Sequence, residues 1–153
     1  HDVKIVEAEN RSGNETLHTY DYEPKAQKPD YDDSEWEVIE PTSLGQRRSG
    51  GKVCFCWYRL RVTLPEDFKG KSVTFVTTVD DYGEVWVDGK LPYKGGQSGG
   101  AIVAGFNAPN RVPLPEPKAG KTYSIAIFGI NGPISVAPGN RIFLSKAVLE
   151  VEE

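Results

Sequence analysis

Two tryptophans, an arginine and a glutamate occupy alternate positions on two segments near the middle of the chain. Trp57 and Arg59 are separated by one residue, and so are Glu84 and Trp86. In a β-strand, each such pair points to one side of the sheet. An indole ring offers a flat apolar surface on which the C–H face of a pyranose stacks, and guanidinium or carboxylate groups can bind its hydroxyl groups. These four residues are therefore candidate saccharide ligands, provided that the side of the sheet that carries them is open.

The same side chains also have a purely structural interpretation. The polar, turn-rich segment 10–51, or a neighbouring domain, would then cover the two tryptophans. Arg59 would form an ion pair with Glu84 or Asp81 instead of binding a ligand. The sequence leaves both interpretations open.

A second group of polar residues lies in predicted loops. Arg47 and Arg48 precede the segment that carries Trp57. Tandem guanidinium groups suit a carboxylate-bearing sugar such as a uronic acid, because arginine binds a carboxylate with two parallel hydrogen bonds. The loops after Trp86 add four further candidates: Gln97, Asn107, Asn110 and Arg111. The alternative is that the asparagines cap turns and the arginines are solvated.

Carboxylates raise the questions of catalysis and of metal binding. Glycoside hydrolysis needs two carboxyl groups across the scissile bond, but the Asp-Asp pairs at 32–33 and 80–81 are adjacent in sequence and their side chains diverge. We therefore expect no enzymatic activity. Residues 7–9, EAE, resemble the opening of some carbohydrate-binding modules in which carboxylates hold a structural calcium ion. Glu7 and Glu9 are accordingly candidate calcium ligands, and we expect no other cofactor.

Three predicted strands position the central residues. Residues 53–64 alternate, with Cys54, Cys56 and Tyr58 on the predicted core side and Phe55, Trp57 and Arg59 on the other. Turn residues separate this segment from a β-branched run at 72–79, and Asp-Gly at 88–89 predicts a hairpin turn after 84–87. We expect these strands to form an antiparallel meander. The two cysteines are too far apart on one strand for relaxed disulfide geometry, so we expect buried free thiols.

Several segments resemble the N-terminal sugar-binding jelly-roll domain of family 2 glycoside hydrolases and of other modular carbohydrate-active proteins. The resembling segments are 32–36 (DDSEW), 57–59 (WYR), 64–71 (LPEDFKGK) and 79–90 (VDDYGEVWVDGK). Two later segments resemble a version of this domain attached to gluconolactonase-like propellers: 105–112 (GFNAPNRV) and 128–135 (FGINGPIS). The resemblance implies a galactose-binding-like fold. In that family the catalytic carboxylates lie on a separate barrel.

Composition agrees with an all-β protein. The chain has 153 residues, enough for one two-layer domain, and its 16 glycines and 11 prolines are spread between predicted strands. A net charge of −4 without a basic cluster argues against nucleic-acid binding, and no segment is long and apolar enough to span a membrane. Segments 3–8 and 147–151 are predicted first and last strands, expected side by side in one sheet.

Together these features predict a single all-β domain, residues 1–153, with an antiparallel jelly-roll β-sandwich fold. We expect it to be part of a larger, extracellular or periplasmic, modular protein. The first functional hypothesis is a non-catalytic module that binds an oligosaccharide or polysaccharide for an appended catalytic domain. The alternative is an accessory domain that packs against the catalytic domain and binds no sugar itself.

Overall fold

The computed structural model describes residues 4–8, 17–21, 23–40, 54–79, 82–92, 100–105, 108–131 and 144–153. These residues form β-strands, turns and irregular segments, and none of them is helical. The described part of the chain accordingly contains no helix that could cross a membrane. The strands are β1 (Lys4–Ala8), β2 (Leu17–Asp21), β3 (Cys54–Thr63), β4 (Ser72–Val79), β5 (Tyr82–Val87), β6 (Ile102–Ala104), β7 (Pro109–Pro113), β8 (Thr122–Asn131) and β9 (Leu144–Glu152).

The strands form three antiparallel sheets. One has four strands in the order β3-β8-β5-β6, one has three in the order β7-β4-β9, and β1 pairs with β2. Both larger sheets contribute side chains to one hydrophobic cluster, which includes Tyr58, Val85 and Ile127 from the first and Phe75, Val112 and Leu144 from the second. This arrangement is all-β and consistent with a β-sandwich.

The predicted meander is wrong. β3, β4 and β5 follow one another in the chain, but β3 pairs with β8, β4 pairs with β7 and β9, and β5 pairs with β8 and β6. An alternating pattern determines which face of a strand is buried, but it carries no information on which strand lies beside it.

The predicted orientation of β3 is correct. Tyr58 is buried, and Cys56 and Leu60 pack against the core, whereas Phe55 and Arg61 on the opposite side are exposed. The Cys56 side chain is half-buried, and the side chain of Cys54 is not among those described. The turn after β5 also agrees with the prediction, because Asp88 and Gly89 have φ angles of 49° and 77° and Val87 pairs with Lys90.

The expected pairing of the first and last strands is wrong as well. β1 pairs with β2, from Lys4 opposite Asp21 to Ala8 opposite Leu17. β9 pairs with β4 instead, with Phe75 opposite Leu149. In the described pairings, β1 and β2 therefore form a sheet of their own, separate from the sheet that contains β9.

A buried amide joins the two larger sheets. Asn110 on β7 is 1% exposed, and its Nδ2 donates to the carbonyl oxygens of Gly83 (3.0 Å) and Ala101 (3.3 Å). Glycine is needed at position 83, because a Cβ there would lie 2.8 Å from Asn110 Oδ1. β7 and β5 belong to different sheets, so this side chain links the layers across the core.

We expect Asn110→Ala to lower the free energy of unfolding by about 1–2 kcal/mol, because it removes two buried hydrogen bonds and opens a small void. Urea unfolding followed by tryptophan fluorescence measures the change. Arg111→Ala is the matched control, since the next residue on β7 is exposed and its loss should cost less than about 1 kcal/mol. Equal losses for the two variants would contradict a role for Asn110 in joining the sheets.

Candidate functional site

Aromatic side chains cover much of the outer side of the four-stranded sheet. The register places Trp57 opposite Phe128 and Phe128 opposite Glu84 in one row across β3, β8 and β5. Residues that lie opposite one another share a face, so Phe128 joins the two tryptophans predicted from the sequence. We call this surface the aromatic face and define it by Phe55, Trp57, Tyr82, Trp86 and Phe128.

The rings of the aromatic face contact one another. The ring centroids of Trp57 and Phe128 are 4.9 Å apart, and those of Trp57 and Trp86 are 6.5 Å apart. Phe55 stacks on Phe128 with a centroid distance of 6.2 Å and an interplanar angle of 12°. Phe55 remains 63% exposed, an unusually large exposure for an apolar ring. Trp57, Trp86 and Phe128 are half-buried.

Glu84 fixes two of the aromatic side chains. Its Oε1 accepts a hydrogen bond of 2.6 Å from the Tyr82 hydroxyl, and its Oε2 accepts one of 3.0 Å from Trp86 Nε1. Burial and the bond to the Glu84 carboxylate raise the pKa of the Tyr82 phenol above its ordinary value, so the phenol stays protonated and donates. Since the indole N–H is already bonded, Trp86 offers its ring surface rather than its polar edge.

Arg59 lies beneath the segment 23–40. Its side chain is only 4% exposed, and its Nε donates to Asp33 Oδ2 at 2.7 Å. Its two terminal nitrogens donate to three backbone carbonyl oxygens, those of Ala26, Lys28 (2.9 Å) and Tyr31 (3.4 Å). The guanidinium carbon also lies 5.4 Å from the centroid of the Tyr31 ring, within range of a cation–π contact.

The candidate role of Arg59 as a surface ligand is therefore not supported, because its donors are used inside the protein. The structural interpretation was correct that Arg59 forms an ion pair within the chain, whereas coverage of the two tryptophans by the N-terminal segment or by a neighbouring domain stays a prediction. The described partner is Asp33, however, and not Glu84, while Asp81 lies outside the described residues. The guanidinium bond holds the pKa of the Asp33 carboxyl below its usual value.

A cleft of about 430 Å³ lies along the edge of β3, between that strand and residues 33–39. The residues that line it include Asp33, Trp36, Val38, Trp57, Leu60 and Leu144. A local turn places Trp36 there, since Asp32 Oδ1 accepts from the Ser34 amide and the Trp36 amide donates to the Asp33 carbonyl. Trp57 belongs both to this cleft and to the aromatic face.

Of the six predicted loop residues, Asn110 and Arg111 are described, and neither of them lies on the aromatic face. Arg47, Arg48, Gln97 and Asn107 lie outside the described residues, so their predicted roles stay predictions. Asn110 is buried between the sheets instead of in an exposed loop. Arg111 forms a bidentate ion pair with Glu150 on the outer side of the three-stranded sheet.

The predicted calcium ligands can be placed only in part. Glu7 lies on β1, but its side chain is not among those described, and Glu9 lies outside the described residues. Within the described ranges, no three His, Cys, Asp or Glu side chains are grouped so that they could hold a metal ion.

Tyr82, Phe128 and Trp36 were not among the residues predicted from the sequence. Tyr82 lies two residues before Glu84, so the alternation of β5 already places it on the same face. Phe128 is on the outer side of β8, but its position beside Trp57 depends on a pairing between strands that are about 70 residues apart. Trp36 has a local turn signal, and nothing in the sequence connects it to Trp57.

No protein-family model matches the sequence, and a search of curated proteins finds no significant match. The chemistry of the aromatic face and of the cleft is therefore inferred from their own residues.

We expect Arg59→Lys to lower the free energy of unfolding by about 2 kcal/mol or more, because one ammonium group cannot replace the fork that reaches four acceptors. Thermal and urea unfolding measure the loss. Arg61→Lys is the matched control, as it lies on the same side of β3 but is exposed, and it should change stability by less than about 0.5 kcal/mol. Similar losses for both variants would show that the buried fork does not hold residues 26–33.

The contribution of Asp33 should depend on pH. Its folded pKa lies below the ordinary value of 3.8, so the carboxylate stabilises the folded state above about pH 4, and this contribution disappears as the pH falls through the lower folded pKa. The stability difference between the wild type and Asp33→Asn should therefore be constant near neutral pH and shrink in acid. In an Arg59→Lys background the difference should be smaller at neutral pH. A difference that grows on acidification would contradict the pairing.

Proposed function

We propose that this chain is a non-catalytic carbohydrate-binding module with a galactose-binding-like jelly-roll fold. In this proposal it is one domain of an extracellular or periplasmic modular protein and brings an appended catalytic domain to an oligosaccharide or polysaccharide. The resemblance of residues 57–59, 64–71 and 79–90 to sugar-binding jelly-roll domains supports the fold type. The all-β architecture with two sheets around one core is compatible with it.

The observation that carries the proposal is the aromatic face. Trp57, Trp86 and Phe128 form a connected group of rings, and Glu84 holds the Trp86 indole through its N–H. A ring that is fixed before binding loses little conformational entropy when a sugar stacks on it. The face is also not uniformly apolar, because Glu84 and the Tyr82 hydroxyl lie among the rings and can take part in hydrogen bonds with hydroxyl groups.

The carboxylates of Glu84 and Asp33 are better suited to binding than to hydrolysis. A glycosidase needs one carboxyl group that gives up a proton and a second that acts as nucleophile or base. Both oxygens of Glu84 accept hydrogen bonds from neighbouring rings. Asp33 is bound to Arg59, which keeps its pKa low and unsuited to a general acid near neutral pH.

We expect Trp86→Ala to weaken glycan binding about tenfold to a hundredfold, since the loss of one stacking ring costs about 1–3 kcal/mol by analogy with nucleobase stacking. Glu84→Gln should weaken binding less than Trp86→Ala does, because it leaves every ring in place. It should still weaken binding, because the glutamine amide can accept a hydrogen bond from only one of the two neighbouring donors. Affinity electrophoresis against a broad polysaccharide panel identifies the ligand, and titration calorimetry with its oligosaccharides gives the affinity. Arg111→Ala, on the opposite sheet, is the control and should bind as the wild type does.

Normal binding by a correctly folded Trp86→Ala variant, and by Trp57→Ala, would exclude the aromatic face. A loss of binding in Arg111→Ala would instead move the site to the predicted loop residues.

One observation favours the alternative of an accessory domain. Phe55 is 63% exposed at the end of the aromatic face, and exposed apolar rings are enriched where protein surfaces meet. Under this alternative the face packs against the appended catalytic domain and binds no sugar. The alternative becomes the better one if no polysaccharide in the panel retains the wild-type protein. Phe55→Ser would then weaken association with the catalytic domain without a change in the fold.

A further inference from the structure

The cleft along the edge of β3 offers a second stacking position beside the aromatic face. Trp57 lines the cleft and is 6.5 Å from Trp86, while Trp36 lines the cleft on the side of residues 33–39. The three tryptophans of the chain thus follow one another from β5, across β3, into the cleft. A ligand that covers all three must be extended, because it has to pass from the outer side of the sheet over its edge strand.

The charges of the cleft indicate which kind of saccharide chain can bind there. Among the described lining residues, Asp33 and Glu37 are acidic and Arg59 is the one basic residue. Arg59 is bound to Asp33 and to backbone carbonyls, so no described cation of the cleft is left for a sugar carboxylate. A carboxylate-bearing chain would meet a net negative charge there, which is unfavourable.

The polar atoms of the cleft suit hydroxyl groups. Asp33 uses Oδ2 to accept from Arg59, and its side chain is 28% exposed, so part of the carboxylate faces solvent. A carboxylate has about four acceptor sites on its two oxygens. Asp33 can therefore bind the guanidinium and a ligand hydroxyl at the same time.

We infer that the β3-edge cleft is a subsite that extends the aromatic face and binds a neutral, hydroxyl-rich oligosaccharide chain, with Trp36 as its stacking ring. This inference rests on the proposed carbohydrate-binding function and adds the ligand class, a neutral chain longer than a disaccharide. Short sugars occupy the aromatic face alone. Longer chains contact Trp36 as well and bind more tightly.

The test uses the three indole N–H resonances of the wild-type protein in NMR spectra, assigned with Trp36→Phe, Trp57→Phe and Trp86→Phe variants. The probes are dimers and hexamers of β-1,4-linked glucose, xylose and mannose, with hexagalacturonate as the acidic probe. We expect the Trp86 resonance to move with both lengths of the preferred neutral sugar and the Trp36 resonance to move only with the hexamer. The wild type is observed, and with three tryptophans the Trp36 resonance also follows by elimination from the Trp57→Phe and Trp86→Phe variants, so the result does not depend on whether a Trp36 variant folds.

Affinities provide the second readout. Trp36→Ala should weaken hexamer binding about tenfold and change dimer binding less than about twofold, the pattern expected for the loss of one stacked ring in an added subsite. Glu35→Gln is the matched control on the same segment. Glu35 is exposed and is not among the residues that line the cleft, so this change should leave the fold and the order of the affinities unchanged.

The outcomes separate the inference from the function on which it rests. If the Trp86 resonance moves with a neutral sugar but the Trp36 resonance moves with neither the dimer nor the hexamer, the proposed subsite is wrong and the proposed function stands. If hexagalacturonate binds more tightly than every neutral hexamer, the neutral ligand class is wrong. If no indole resonance moves with any probe and the polysaccharide panel is also negative, the proposed function fails and the subsite fails with it.

Discussion

The guanidinium of Arg59 is the interaction on which the candidate site depends. It is almost fully buried, and its partners on the Asp33 side chain and on three backbone carbonyls all belong to residues 26–33. A buried charge is tolerated only when its donors are paired, so the sheet can bury this arginine only if the segment lies over it. The segment in turn brings the turn at 32–36 and the Trp36 ring to the edge of β3.

The contacts of Arg59 also divide the outer side of the four-stranded sheet into a covered part and a partly exposed part. Near Arg59 the sheet is covered, and Ala126, which lies between Arg59 and Trp86 in the register, has no exposed surface. Towards Phe55 the same side carries aromatic rings that keep part of their surface exposed. A sheet with an apolar inner side normally has a polar outer side. The partly exposed rings on this outer side depart from that pattern, and they are the surface on which the proposed binding function rests.

Two buried polar groups, Arg59 and Asn110, hold the parts of the fold together in different ways. Asn110 joins the sheets through neutral hydrogen bonds and requires glycine at position 83 for its approach. Arg59 joins a segment without regular secondary structure to a strand and uses a charge to do so. The first links the layers that enclose the core, and the second determines the shape of the surface above one of them. A ligand bound in the cleft would therefore contact the segment that Arg59 holds in place.

The sequence by itself determined the features that depend on neighbouring residues. The alternation at 53–64 correctly separates Tyr58 and Cys56 from Phe55 and Arg61, and Asp-Gly at 88–89 correctly predicts the turn, because backbone geometry alone couples residues two positions apart. Only the tertiary structure decided which strands are neighbours. β3 pairs with β8, Arg59 with Asp33, and Trp57 with Phe128, and each of these contacts closes a loop of tens of residues. Many pairings satisfy the same alternating pattern, and the packing of the whole core selects among them.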